Sequence, residues 1–418
     1  MNILLKAAVI VDASKPELHL KKRDIFIKNG KIEAIGFHLE AEKQTKIIQF
    51  DNLHVSIGWF DSSVAFGEPG HEERETIENG LLTAGKSGFT DVILNPNTYP
   101  LPDSSSDIVF LRKTSENKAT KLYPLGTLTV KADGEALAEL FDMQNAGAVG
   151  FSDFKNPIKN SNLLKIALQY AQGFDGLVYS FPLDAEIAGK GVVNEEITST
   201  KLGLKGIPAL AEELQIARDL FILEYTGGKL HIPTISTANA VKQIAAAKKK
   251  GLDVSCSVAI HNLYFTDERL EEFDTNFKVM PPLRTKKDIK ALIQGLSDGV
   301  IDFVTSDHTP LDVEEKVIEF DHAAYGTIGL ESAFGILNQL FPLETTIALL
   351  TKGRERYGLH TPDLAKGENV CLTLFDPEHE YILTKKDHIL STSTNSAFLG
   401  EKLKGKVYGI IAQNKVLL

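Results

Sequence analysis

Apolar and polar positions change their period twice along the 418 residues. Residues 1 to 54 alternate in short runs: Ala7-Ala8-Val9-Ile10-Val11 is apolar, and the segment from Asp24 to Gly36 reads as two strands around Asn29-Gly30. Asn-Gly tolerates the positive φ angles of a two-residue hairpin, so a hairpin is predicted there. From 55 to 365, β-rich apolar runs alternate with stretches of helical period. Thr90 to Leu94, Ala148 to Phe151, Gly176 to Tyr179, Lys229 to Ile232, Val254 to Val258 and Ile301 to Thr305 are such runs, and Ala209 to Glu224 and Ala238 to Lys250 are such helices. Alternation sustained this long fits a closed (β/α)8 TIM barrel better than an open sheet. From 366 strand character returns, in Asn369 to Phe375 and Gly405 to Ile411. The expected α/β architecture is therefore a barrel over 55–365 and a small β-sandwich built from 1–54 and 366–418.

Composition narrows the function classes. A hydrophobic content of 43% and a charged content of 24% are ordinary for a globular chain. A formal net charge of −11 argues against nucleic acid, whose phosphates need a basic surface. Cys256 and Cys371 stand far apart in apolar company and read as core residues of a reducing compartment. No run approaches the roughly 18 apolar residues of a membrane helix, and the first residues do not resemble a signal peptide, so a soluble cytoplasmic protein is expected. Lys248-Lys249-Lys250 closes a helix before Gly251, where the helix dipole favours cations. No Gly-x-Ser-x-Gly elbow, Walker loop or dinucleotide-binding glycine pattern occurs.

Five segments carry a more specific signal. They are Trp59-Phe60-Asp61-Ser62-Ser63-Val64-Ala65-Phe66-Gly67-Glu68-Pro69-Gly70, Gly88-Phe89-Thr90-Asp91-Val92 through Asn95-Pro96-Asn97-Thr98, Gly147-Ala148-Val149-Gly150-Phe151-Ser152-Asp153, Val279-Met280-Pro281-Pro282-Leu283-Arg284, and Ser306-Asp307-His308-Thr309-Pro310-Leu311 with the later Gly329-Leu330-Glu331. In this order they resemble the multifunctional-complex type of dihydroorotase, in the amidohydrolase superfamily, and the resemblance runs essentially end to end. It implies the barrel with its terminal sandwich, and zinc-dependent hydrolysis of a cyclic amide in pyrimidine biosynthesis.

The same resemblance exposes what is missing. Where the family has Asp-x-His-x-His, the two histidine positions hold Ser63 and Ala65. Its later histidine ligands fall on Ser180 and Thr234. Two carboxylate positions remain: Asp153, a metal ligand by resemblance, and Asp307, which in the family binds metal and takes the proton from the attacking water. A hydroxyl is a poor zinc ligand and a methyl group is none. Two aspartates on distant strands do not hold zinc tightly, so no cofactor is expected, or weak zinc binding at most. Of the four positions that grip the substrate carboxylate in the family, Gly67, Asn97, Met280 and Leu311 here, only Asn97 keeps its residue. Glycine cannot replace a bidentate guanidinium.

The other histidines are read mainly as structural: His231 as a core or supporting residue on its strand, His308 as a hydrogen-bonding neighbour of Asp307 with a residual metal role as the alternative, His261 as structural, and His71 at the start of a charged, solvent-facing helix. Three functional readings follow. The first is a dihydroorotase homologue that has lost metal-dependent catalysis and acts as a structural subunit; the resemblance implies a homodimer and aspartate transcarbamoylase as partner. A large apolar patch outside the pocket would favour it. The second is an active dihydroorotase or related cyclic amidohydrolase with a rebuilt site using His231 or His308. The third is a small-molecule binding protein whose vacated pocket is lined by Ser63, Ser180 and Thr234. Closure of that pocket by Phe66, Phe181 and Met280 would count against it.

Overall fold

The computed structural model describes residues 2–418. Strands from both ends of the chain form one sheet, in the order Lys415–Leu417, Lys402–Ala412, Cys371–Ile382, His54–Ile57, Asn2–Ile10, Lys22–Lys28, Lys31–Gly36, with Lys46–Ile48 beside Asn2–Ile10. The predicted hairpin is present: Asn29 and Gly30 both have positive φ, 50° and 75°, and join Lys22–Lys28 to Lys31–Gly36. Ile3, Leu5, Ile25, Val55, Leu372 and Ile411 pack into a separate apolar core within this sheet region.

The barrel has eight parallel staves. Trp59–Val64, Phe89–Leu94 and Lys121–Pro124 pair in sequence. Phe151 bridges to Gly126 on one side and Val178 on the other, and makes the fourth stave. Leu177–Tyr179, Lys229–Ile232, Val254–Ala259 and Phe303–Thr305 complete the circuit. At the seam between the first and last staves lies Asp61, a fully buried carboxylate on the first. It accepts from Thr305 Oγ1 and, at 3.0 Å, from the amide of Ser306 on the last. Val64 also bridges to His308 across the seam.

The helices fall close to their predicted limits. Ala209–Thr226 runs two residues beyond the apolar pattern, and Ala238–Lys249 ends with Lys250 as its cap. His71 is a correction. The helix in this region is Ile77–Lys86, because Thr76 caps it by accepting from the Asn79 amide at 3.1 Å, and His71 lies in the preceding turn. No helix among the described residues is long and apolar enough to cross a membrane.

Candidate functional site

The C-terminal ends of the staves, where barrel active sites lie, deliver Ser63, Asn95, Lys155, Thr234 and Asp307 to one small space. Asp307 has a φ of 47° and Thr234 also 47°. The left-handed region is uncommon for any non-glycine residue and unusual for a β-branched one. Thr234 is held there by its amide, which donates to Ser257 Oγ at 3.1 Å. Strain of this kind persists where surrounding contacts fix it, and it clusters at functional strand ends.

The centre of the space is a lysine. Lys155 Nζ lies 2.9 Å from Asp307 Oδ2, with the Asp307 side chain 3% and the Lys155 side chain 16% exposed. The other Asp307 oxygen accepts from Ser63 Oγ at 3.1 Å, and Ser63 Oγ accepts from Asn95 Nδ2 at 2.8 Å. An ammonium thus provides the positive charge beside Asp307. The remaining cavity is about 10 Å³, bounded also by Phe154, Tyr179 and Phe181. That is the space of about one water molecule.

Asp153 does not join this group. It turns toward the preceding loop and accepts from the amides of Leu128 and Thr129, both at 2.9 Å, and from Thr129 Oγ1 at 2.6 Å. Burial pushes its carboxyl pKa up, and the Thr129 and Leu128 donors offset part of that rise. Asp153, a metal-ligand position by resemblance, therefore has both oxygens engaged by the loop at Leu128 and Thr129. Ser180 also leaves the space, donating to Asp219 Oδ2 at 2.6 Å. Ala65 contributes only a buried methyl group and an amide bonded to His308 O at 2.8 Å.

The histidines offer no replacement shell. His231 is buried between Ser255 Oγ, 2.8 Å from Nδ1, and Ser257 Oγ, 3.3 Å from Nε2, and it stacks on Phe303 at 5.2 Å between centroids. Burial drives its pKa well below the usual histidine value, so the ring is neutral. His308 Nδ1 accepts from the Gly329 amide at 3.3 Å, its ring packs edge-on against Phe66, and burial pushes its pKa down to about 4. His261 is wholly buried with no partner at either nitrogen among the described residues, and its pKa is likewise about 4. Among the described residues, no group of three or more histidine, cysteine, aspartate or glutamate side chains is placed to hold a metal ion. The residues present do not fit zinc.

The anion clamp is equally closed. Gly67 has a φ of 110°, and a Cβ built there would lie 2.7 Å from His71 O, so the turn rejects any side chain at the family's arginine position. Met280 packs with Phe181 in an apolar cluster, and Leu311 is buried. Asn97 keeps its place on the loop after the second stave, but its Oδ1 is buried without a partner among the described residues. Lys155 was not singled out by sequence reasoning. Its one signal is a lysine two residues after an aspartate at a stave end, and its partner lies 152 positions away.

A parallel barrel with a sheet of terminal strands beside it is the architecture of the amidohydrolases. The L-hydantoinase (dihydropyrimidinase) from Arthrobacter aurescens superposes with a TM-score of 0.84 at 21% identity, over 100% of this chain and 97% of that one. A family model described as dihydro-orotase-like matches residues 54–240. A dihydroorotase of Pelotomaculum thermopropionicum is 37% identical over all of this chain and 99% of its own length, and one of Pelobacter propionicus is 36% identical over 100% and 99%. The chain belongs to the dihydroorotase family.

Proposed function

We propose that this protein is a dihydroorotase-family member of pyrimidine biosynthesis that has lost metal-dependent hydrolysis and serves as a structural subunit. The observation that carries the reading is the Lys155–Asp307 pair in a cavity of about 10 Å³. In a metal-dependent hydrolase the ion acidifies its bound water and polarises the amide carbonyl. Here the acceptor that would take the water's proton is paired with an ammonium, and no nitrogen ligand faces it. The same closure supports the structural reading over a small-molecule binding role, since Phe154, Phe181 and Lys155 fill the space that Ser63 and Thr234 would otherwise line.

A second reading, an active cyclic amidohydrolase with a rearranged site, is favoured by the full-length relatives named dihydroorotase. It requires Lys155 to withdraw and a ligand set to assemble. Cytoplasmic location, a homodimer and association with aspartate transcarbamoylase belong to the proposal through the family resemblance.

Thermal unfolding with and without zinc separates the two readings. A site filled at 100 times its dissociation constant stabilises a fold by about 2.7 kcal/mol. The structural reading predicts no rise in melting temperature at 100 µM zinc, alone or with dihydroorotate. A saturable rise would contradict it and support the second.

A further inference from the structure

The N-terminal end of the barrel, opposite the closed site, carries a groove of about 660 Å³. It opens where the third stave begins at Lys121 and where the Gly147 turn leads into the fourth. Ligand sites commonly measure about 300–1,000 Å³. The floor is apolar: the half-buried Tyr123, Val149 and Leu359 pack there against one small core cluster. The rim is basic. Arg112, Lys118, Lys121 and Lys415 line it, with Glu116 as the single carboxylate among the lining residues. Four cations to one anion reverses the balance of a chain whose net charge is −11.

Structural duties use these cations only in part. Lys118 is neutralised by Glu78 at 2.5 Å. Arg112 donates to Ala146 O at 2.7 Å and Lys415 donates to Asn117 O, and neither carbonyl carries net charge. The turn beside them leaves room for the guanidinium, since a Cβ at Gly147 would lie 2.7 Å from Arg112 Nη1. Among the described residues, Arg112, Lys121 and Lys415 form no ion pair, so these three cations against Glu116 leave an excess of two positive charges on the rim. A helix end accounts for one cation beside Ala146. It does not account for three uncompensated cations around an apolar hollow. Such a concave surface focuses the field and concentrates anions. A phosphate monoester carries a charge of about −1.5 to −2 at neutral pH, which matches the excess, and accepts charge-assisted hydrogen bonds from lysine and arginine. A flat ring suits the phenol face of Tyr123 and the aliphatic groups beside it. We infer that this groove binds a phosphate monoester with a flat ring body, the chemistry of a nucleoside monophosphate. The ring lies on Tyr123, Val149 and Leu359, and the phosphate meets Lys121, Lys415 and Arg112. The inference goes beyond the structural-subunit reading and holds whether or not hydrolysis is retained, because the groove and Lys155 lie at opposite ends of the barrel.

Isothermal titration calorimetry of the full chain tests it, with adenosine 5′-monophosphate and cytidine 5′-monophosphate as probes and with adenosine, cytidine and inorganic phosphate as their fragments. The variants are K121Q/K415Q, the single change Lys121→Gln, and Lys287→Gln as a control at another exposed lysine. All are at exposed positions, and unchanged melting temperatures check that the fold is retained. At least one nucleotide is expected to bind with a Kd of about 1 mM or tighter, and about tenfold or more tighter than either of its fragments. Binding should weaken about tenfold or more in K121Q/K415Q, by part of that in Lys121→Gln, and not at all in Lys287→Gln. It should also weaken as salt is raised. No nucleotide binding up to about 10 mM overturns the inference. So does inorganic phosphate that binds as tightly as the nucleotides, which leaves the apolar floor without a role, or nucleotide binding undiminished in K121Q/K415Q.

Discussion

Replacing Lys155 with methionine removes the ammonium and keeps an unbranched side chain about as long as the lysine stem. Asp307, 3% exposed, then loses the one cationic partner it has among the described residues and retains one hydrogen bond, from Ser63. Breaking a fully buried pair by deleting one member costs about 3–5 kcal/mol. Lys155 is 16% exposed, so the attraction is partly screened, and about 2–4 kcal/mol is the expected loss. Unfolding entropy of about 2.1 cal/mol/K per residue gives about 0.9 kcal/mol/K for this chain. A loss of 3 kcal/mol therefore lowers the melting temperature by about 3 °C. Asp307→Asn in the Lys155→Met background removes the stranded charge, and the double variant should recover about 2 kcal/mol relative to the sum of the single changes. Calorimetry on the four proteins of the cycle reads this directly. A Lys155→Met protein that melts with the parent, or a cycle with no coupling, would refute the claim that the pair holds the closed site together.

Two further outcomes follow from the buried groups. His261 and His308 have folded pKa values of about 4, against about 6.5 in the unfolded chain. The unfolded state therefore binds more protons below pH 6.5, and stability is lost as pH falls through the window from 6.5 to 4. Each histidine removes about 2 kcal/mol by pH 5, a loss that the buried carboxyls with raised pKa values oppose, so the specific readout is the ring protons by NMR: they should show little titration between pH 7 and pH 5, and a titration near pH 6.5 would contradict their burial as neutral rings. For Asp153→Asn, one amide oxygen must replace a carboxylate that accepts three hydrogen bonds. The loss of stability should be about 1–3 kcal/mol by urea titration with metal content unaltered, and an unchanged stability would show that the loop at Leu128 and Thr129 does not depend on it.

Much of the fold was legible because it rests on local periods. The strand–helix alternation, the Asn29-Gly30 turn and the limits of Ala209–Thr226 follow from side-chain spacing and backbone preference. The absent ligands were also legible, since Ser63, Ala65, Ser180 and Thr234 stand inside recognisable segments. Side-chain direction was not. Asp153 turns away because three donors of the loop before it lie within reach, and Ser180 turns away because its hydroxyl donates a hydrogen bond to Asp219 of the helix Ala209–Thr226. Neither contact has a sequence signature. Lys155 escaped notice for the same reason: its role comes from Asp307, brought beside it only when the barrel closes. The misplaced helix start at His71 arose because charge pattern alone does not mark a cap, and Thr76 supplies one five residues later.

The proposed loss of metal-dependent hydrolysis rests on the side-chain ammonium of Lys155 beside Asp307. Its most direct test is elemental analysis of protein purified without chelator, with dihydroorotate hydrolysis assayed on the same sample. The account predicts far less than one zinc per chain and no turnover above the uncatalysed rate, with or without added zinc. Near-stoichiometric zinc accompanied by turnover would contradict it.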